Sequence, residues 1–333
     1  MITINDVAKK AGVSTATVSH VCNNTRYVSD DLRQKVFAAM TELNYKPNLM
    51  ARGLKGGSLK TIGLIVPDCT NFFFAEISRA IDRCCFSMGY NIILCNTDND
   101  MRQQAYYSDM LISKQVDGVI IISSDYSVGD IDKFKQYSIP LVIADRESAD
   151  KSVNSIIVDN ERGAYEAVAY LIGLHLEKIA CITGPERIIS SRQRLKGYKK
   201  ALRDAGRLID EKYIFTGDFH FEGGIAAFEY FQKLPQMPDG VFALNDMMAL
   251  GFIHRAISGG IKIPEQISVI GFDNTQLADI MLPQLSTVAQ PIDELAEISV
   301  RNLLGQIEHT ETEVKKVILD PYLIIRDSCI KFR

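Results

Sequence analysis

At 333 residues, 47% hydrophobic and 23% charged, the chain is long enough for a large buried core and has the composition of a folded protein. Its net charge of −4 excludes a generic polycation that coats nucleic acid, but the charge is uneven: residues 1–60 carry nine Lys and Arg against four Asp and Glu. The seven cysteines (Cys22, Cys69, Cys84, Cys85, Cys95, Cys181 and Cys329) form no CxxC pair or metal-spaced cluster, and no apolar run makes a signal core or a membrane span. These features lead us to expect a reduced, cytoplasmic protein with no metal or cofactor.

The first 46 residues read as helices joined by short turns. Residues 5–11 place Val7, Ala8 and Ala11 at helical spacing behind a capping Thr3, and Gly12-Val13 breaks the run. Ser14 caps a second helix, 15–23, with Val18 and Val21 inward. Ser29-Asp30-Asp31 opens a third, running to about Leu43, with Leu32, Val36, Ala39, Met40 and Leu43 inward. Tyr45-Lys46-Pro47 stops it, since proline disfavours helical geometry in the residue before it. Residues 48–56 have the makings of two helical turns ahead of a flexible Gly56-Gly57-Ser58 joint.

From Thr61 the pattern changes. Apolar runs at 62–66, 92–95, 119–122, 141–144, 156–158, 179–182, 241–244 and 269–272 alternate with amphipathic stretches such as 74–88, 162–174, 194–205 and 247–258. Buried strands alternating with helices predict parallel sheets covered on both faces. So many strands over about 270 residues point to two doubly wound lobes.

Residues 11–21, AGVSTATVSHV, carry the strongest local motif. A helix, a tight glycine turn and a capped second helix make a helix-turn-helix, whose second helix enters the major groove amino end first. Thr15, Ala16 and His20 would face outward, and Thr17 or Ser19 would hold phosphates. Ala16 suits a thymine methyl and His20 a base edge. An unrelated helical hairpin with a surface histidine would show the same pattern.

The stretch TINDVAKKAGVSTATVSHVCNNTRYVSDDLRQKVFAAMTELNYKPNLMARGLKGG resembles, without a gap, the amino-terminal region of the lactose/purine repressor family. The resemblance implies that Thr15, Ala16 and His20 read bases and that Leu54 wedges into the minor groove, with Lys55 counted among the DNA contacts. The sequence supplies a reason for a switch there. A helix of about nine residues is shorter than the roughly 12–15 at which isolated helices become marginal, and Gly53 weakens it by a further 0.5–1 kcal/mol or so. An ordinary linker is the alternative, against which the apolar Leu49, Met50 and Leu54 argue.

Residues 61–333 resemble periplasmic sugar-binding proteins, as that family's cores do, and look most like ribose-binding proteins and ribose-operon repressors. The residues that carry the likeness are Asn71, Phe73 and Phe74 in TNFFF; Asp145-Arg146; Arg194 in RLKGY; Phe219 in GDF; Asn245-Asp246; Phe272-Asp273 in IGFD; and Gln290 before Pro291. Most follow the carboxyl ends of expected strands, where open α/β sheets bind ligands. Asp, Asn, Gln and Arg can satisfy sugar hydroxyls, which both donate and accept, and phenylalanine faces can cover the ring's C–H surfaces. Taken singly, the residues have plainer uses: Phe73 and Phe74 as core, Asp145-Arg146 as a structural ion pair, Asn245 as a helix cap. Two departures from the ribose-binding pattern are Ser123, where an asparagine is expected, and Phe72, where a proline is.

The expected fold is therefore an all-α helix-turn-helix head, 1–46, a hinge, 47–60, and a periplasmic-binding-protein-like core, 61–333. One lobe takes about 61–159 and 291–320, the other about 160–290 and 321–333. The resemblance implies a homodimeric repressor of palindromic operator DNA, controlled by a small sugar such as ribose. The catabolite-control branch, which uses a phosphorylated carrier protein as corepressor, shares stretches such as FDNTQLADIMLPQLSTVAQP, and a purine effector is a further alternative. An enzyme reading lacks a site, for there is no GxGxxG after the first strand, no Walker A loop, no GxSxG elbow and no HExxH.

Overall fold

The computed structural model describes residues 2–23, 26–46, 58–122, 128–146, 150–310 and 313–329. Leu54, Lys55 and Ser123 lie outside the described residues. The chain divides into two compact units, Met1–Leu59 and Lys60–Arg333.

The first unit holds α1 (Ile4–Ala11), α2 (Thr15–Asn23) and α3 (Asp30–Glu42). Asp6 accepts from both the Thr3 N–H (2.8 Å) and its hydroxyl (2.7 Å), fixing the start of α1. Gly12 ends α1 at φ 67°, a left-handed conformation suited to glycine, and the Val13 N–H turns back to the Ala8 carbonyl. Ser14 Oγ accepts the Thr17 N–H at 3.0 Å and caps α2. Ser29 occupies the N-cap of α3 without a side-chain bond, leaving Asp30 and Asp31 to complement the helix dipole. Val7, Ala8, Val18, Val21, Val28, Val36 and Ala39 close a small core between the three helices.

The second unit contains two six-stranded sheets. The first comprises β1 (Thr61–Val66), β2 (Asn91–Asn96), β3 (Gly118–Ile122), β4 (Leu141–Asp145), β5 (Asn154–Val158) and β11 (Lys316–Leu319), in the order β11-β5-β4-β3-β1-β2, all parallel. Strict alternation along the strands serves both faces. Ile62, Leu64, Ile120, Ile122 and Val142 pack under α4 (Phe72–Ser87) and α12 (Ile292–Ile307). Ile65, Val119, Ile121, Leu141 and Ile143 pack against Leu111 of α5 (Met101–Ser113) and Phe134 of α6 (Val128–Gln136).

The second sheet comprises β6 (Ile179–Thr183), β7 (Ile214–Thr216), β8 (Gly240–Ala243), β9 (Ser268–Asp273), β10 (Ser286–Ala289) and β12 (Tyr322–Ile324), in the order β12-β10-β9-β8-β6-β7. Edge strand β12 runs antiparallel to β10, a departure from the all-parallel expectation. It is short, and an antiparallel edge is common on such sheets. Helices α7 (Asn160–Gly173), α8 (Ile189–Asp204), α9 (Phe221–Phe231) and α10 (Asp246–Ser258) cover this sheet, with α11 (Gln276–Ile280) after β9. Phe228, Phe231, Phe242, Phe252 and Phe272 fill its core. The chain passes between the sheets three times, near 159, 290–291 and 320–321. No helix among the described residues is long and apolar enough to cross a membrane.

Candidate functional site

Three crossings with the carboxyl ends of both sheets facing one another leave a cleft, the usual ligand position in open α/β folds. The cleft and the open solvent at its mouth together amount to about 700 Å³. Its walls include Asn71, Phe73, Phe74, Asp145, Arg146, Arg194, Phe219, Asn245 and Asp273, brought together from positions as far apart in sequence as 71 and 273. Gln290, the tenth expected residue, stands behind the wall and donates from Nε2 to Asp273 Oδ1 at 2.8 Å.

On the first lobe, Asn71 is the N-cap of α4 and accepts the Phe73 N–H at 3.1 Å. The cap anchors the turn that presents Phe73 and Phe74, whose rings meet edge to face at 5.2 Å. Asp145 ends β4 with φ 72°, and its carboxylate lies 3.7 Å from Arg146 Nε. Both residues are buried. Burial pushes the Asp145 carboxyl above the usual carboxylate range, against the pull of Arg146 and Arg194. Its Oδ1 is buried with no hydrogen-bond partner among the described residues. A group in that state calls for a donor, which a ligand hydroxyl can supply.

On the second lobe, Arg194 of α8 is the organising charge. It donates from Nε to Asn160 Oδ1 (2.7 Å) and from Nη1 to the Leu244 carbonyl (2.5 Å) and Asp273 Oδ1 (3.3 Å). Its guanidinium stacks 3.6 Å from the centre of the Phe272 ring. Burial lowers its proton affinity, while Asp273 and Asp145 restore part of it. Asp273 is raised well above its ordinary value by burial, the nearby Arg194 opposing. Asn245 serves two ends: its Oδ1 accepts the Met248 N–H (3.0 Å) as the cap of α10, and its Nδ2 donates to the Phe219 carbonyl (2.9 Å). The plainer use considered for Asn245 is thus present alongside its place in the wall.

Asp145, Phe219 and Asp273 all hold positive φ, at 72°, 70° and 118°. Strain of this kind in non-glycine residues costs about 1–3 kcal/mol each and collects where a side chain must be aimed. Asp246, next to Asn245, is fully buried and accepts from the Thr275 N–H (2.8 Å), the Thr275 hydroxyl (3.1 Å) and the Thr287 hydroxyl (2.6 Å).

The cleft also takes in residues that the sequence did not single out: Asp68, Asn99, Arg187, Ser190, Asp218 and His220. Asp218 and His220 flank Phe219 beyond β7, a strand too short to stand out as an apolar run, and position beyond a strand end was the signal available. Four carboxylates face three guanidinium groups in the lining.

In the first unit Thr15 and Ala16 are exposed on the leading turn of α2, whereas Thr17, Ser19 and His20 are half-buried. Thr17 Oγ1 already shares a hydrogen bond with Ser14 Oγ at 2.9 Å.

Comparison with known proteins agrees over both units. The profile described as "Bacterial regulatory proteins, lacI family" matches residues 3–48, and that described as "Periplasmic binding proteins and sugar binding domain of LacI family" matches 59–327. The HTH-type transcriptional repressor PurR of Photobacterium profundum is 38% identical over 329 residues, 98% of either chain. The ribose operon repressor of Escherichia coli (strain K12) is also 38% identical over 329 residues, 98% of this chain and all of the other. Among solved structures, the lac repressor dimer bound to operator and the anti-inducer ONPF matches with a TM-score of 0.88 at 29% identity, over 99% of each chain.

Proposed function

The chain belongs to the lacI family of bacterial regulatory proteins, and from that membership we propose that it releases a palindromic operator when a small sugar, a pentose such as ribose, fills the cleft between its lobes. As a family member it is a DNA-binding transcriptional repressor and not an enzyme. The two curated relatives are equally similar, so the choice of ligand rests on the lining of the cleft.

The observation that carries the reading is a cleft in which hydrogen-bonding side chains from both lobes are set beside Phe73, Phe74 and Phe219. An uncharged ring bearing hydroxyls on its rim and C–H groups on its faces suits such a lining. Asp145 and Asp273 lack full solvation and gain from hydroxyl donors, Arg146 brings charged N–H donors to the wall, and Arg194, already bonded to Asn160, Leu244 and Asp273, holds Asp273 in place.

In the head, the exposed Thr15 and Ala16 at the start of α2 suit base edges, with Thr17, Ser19 and His20 following and Leu54 and Lys55 acting from the hinge. A helix-turn-helix of this size reads few base pairs, and the operator-bound lac repressor is a dimer, so two copies on a two-fold operator form the working unit.

Calorimetry with ribose, xylose, glucose and hypoxanthine tests the reading. Saturable pentose binding supports it. Purine binding without sugar binding, or no binding at all, overturns it.

A further inference from the structure

Each half of the cleft is carried by an element that continues beyond it. Asn71, Phe73 and Phe74 stand at the N-cap and first turn of α4, and Glu76 follows on the same helix. Opposite, Asp273 ends β9, and Gln276 opens α11 three residues later. Glu76 Oε1 accepts the Gln276 backbone N–H at 2.7 Å. The bond therefore joins the two ligand-bearing elements directly, one from each lobe, behind the wall that faces the ligand.

The turn it grips is built to move as one piece. Asp273 and Asn274 have φ of 118° and 57°, conformations with few neighbouring alternatives for such residues. Arg326 Nη2 donates to Asn274 Oδ1 at 2.8 Å, and Asp246 holds Thr275 by both its N–H and its hydroxyl. Thr275 is the N-cap of α11 but makes no side-chain cap bond, its hydroxyl being spent on Asp246. The first N–H of α11 has no acceptor within its own helix, and a carboxylate from the other lobe takes that place. On the first lobe α4 is equally fixed, with Ile77, Ala80, Ile81 and Cys85 buried in the core.

We propose that Glu76 is a positioning residue, a latch that sets the angle at which Asn71, Phe73 and Phe74 of one lobe and Asp273 of the other meet a single ligand. Its role in ligand affinity rests on the cleft being the effector site; its role in holding the lobes does not. Any ligand that changes the lobe angle must strain or release this bond.

The test uses the full-length protein in three variants. Glu76→Ala removes the acceptor, and Glu76→Gln keeps an amide oxygen that accepts the same N–H. Gln276→Pro deletes the donor at a first-turn position where proline fits, the preceding Thr275 already being extended (φ −68°, ψ 160°). Hydrogen exchange of the ligand-free proteins should quicken together at 71–75 and 273–277 in Glu76→Ala and Gln276→Pro. The expected factor is about 5–20, that of a half-exposed hydrogen bond to a charged group. Glu76→Gln should stay within about twofold of the parent. Quickening confined to one lobe, or none, overturns the latch. Ribose affinity should fall by a similar factor in the first two variants and recover in Glu76→Gln. If the parent protein takes no ribose, the effector reading fails, and the exchange pattern still decides on the latch.

Discussion

Gly184, the residue after β6, offers a perturbation whose size can be worked from the structure. A Cβ there would stand 2.2 Å from Phe219 Cε2, 2.3 Å from Cζ and 2.7 Å from Cδ2. Carbon atoms in ordinary contact lie about 3.5–4.0 Å apart, so the ring must withdraw by roughly 1.3–1.8 Å. The Phe219 backbone cannot follow freely, for its carbonyl is held by Asn245 Nδ2 and its φ is already positive. The ring is left to swing into the space it now borders, the cleft. Overpacking of this kind costs about 1–3 kcal/mol, which as lost ligand affinity is about 5–150-fold. Calorimetry with ribose should show that loss in Gly184→Ala, while circular dichroism and operator gel shifts remain as in the parent. In a Phe219→Ala background the added methyl has nothing to displace, and its effect should vanish. Parental ribose affinity in the single variant, or an equal loss in both backgrounds, would refute the assignment of Phe219 to the ligand wall.

Arg146→Ala should abolish the ligand response, lowering affinity by about 100-fold through the loss of charged N–H donors to ligand oxygens, with operator binding kept; a folded variant that loses operator binding instead would remove Arg146 from the site. Gly12→Ala meets open space but must adopt φ 67°, so strain alone should destabilise the head by about 1–2 kcal/mol, read as faster exchange in α1 and α2 with the core unchanged; unaltered exchange would count against the turn geometry. Burial raises the Asp246 carboxyl to about 6, with hydrogen bonds from Thr287 and Thr275 opposing. The folded chain thus retains a proton that the unfolded chain gives up near its ordinary value, so this group's contribution is greatest below about pH 4 and is lost as pH rises through about 6. Urea midpoints between about pH 4.5 and 7 should accordingly change less in Asp246→Asn than in the parent, and an equal change would contradict the shift.

The head could be read closely from sequence because its punctuation is local: Thr3, Gly12 and Ser14 act within a turn of where they stand. Strands such as Gly118–Ile122 were legible as unbroken β-branched runs buried on both faces. The short strands β7, β10, β11 and β12 were not, since three or four residues such as Ser286–Ala289 become a strand only through pairing with β9. The antiparallel course of β12 likewise follows from its pairing with β10, which no local pattern encodes. Proximity beyond strand ends gathered nine expected residues onto one cleft, yet could not place Gln290 behind Asp273 or foresee that Asn245 would also hold Phe219. Glu76 was invisible for a related reason, its partner being a backbone N–H 200 residues away.

The most direct test follows full-length protein on a selected palindromic duplex by fluorescence anisotropy while ribose is added. Operator affinity should fall by about 5–150-fold, and ribose affinity should fall by the same factor once operator is bound, as linkage demands. Operator binding that is indifferent to saturating ribose, or that tightens with it, would contradict a pentose-released repressor.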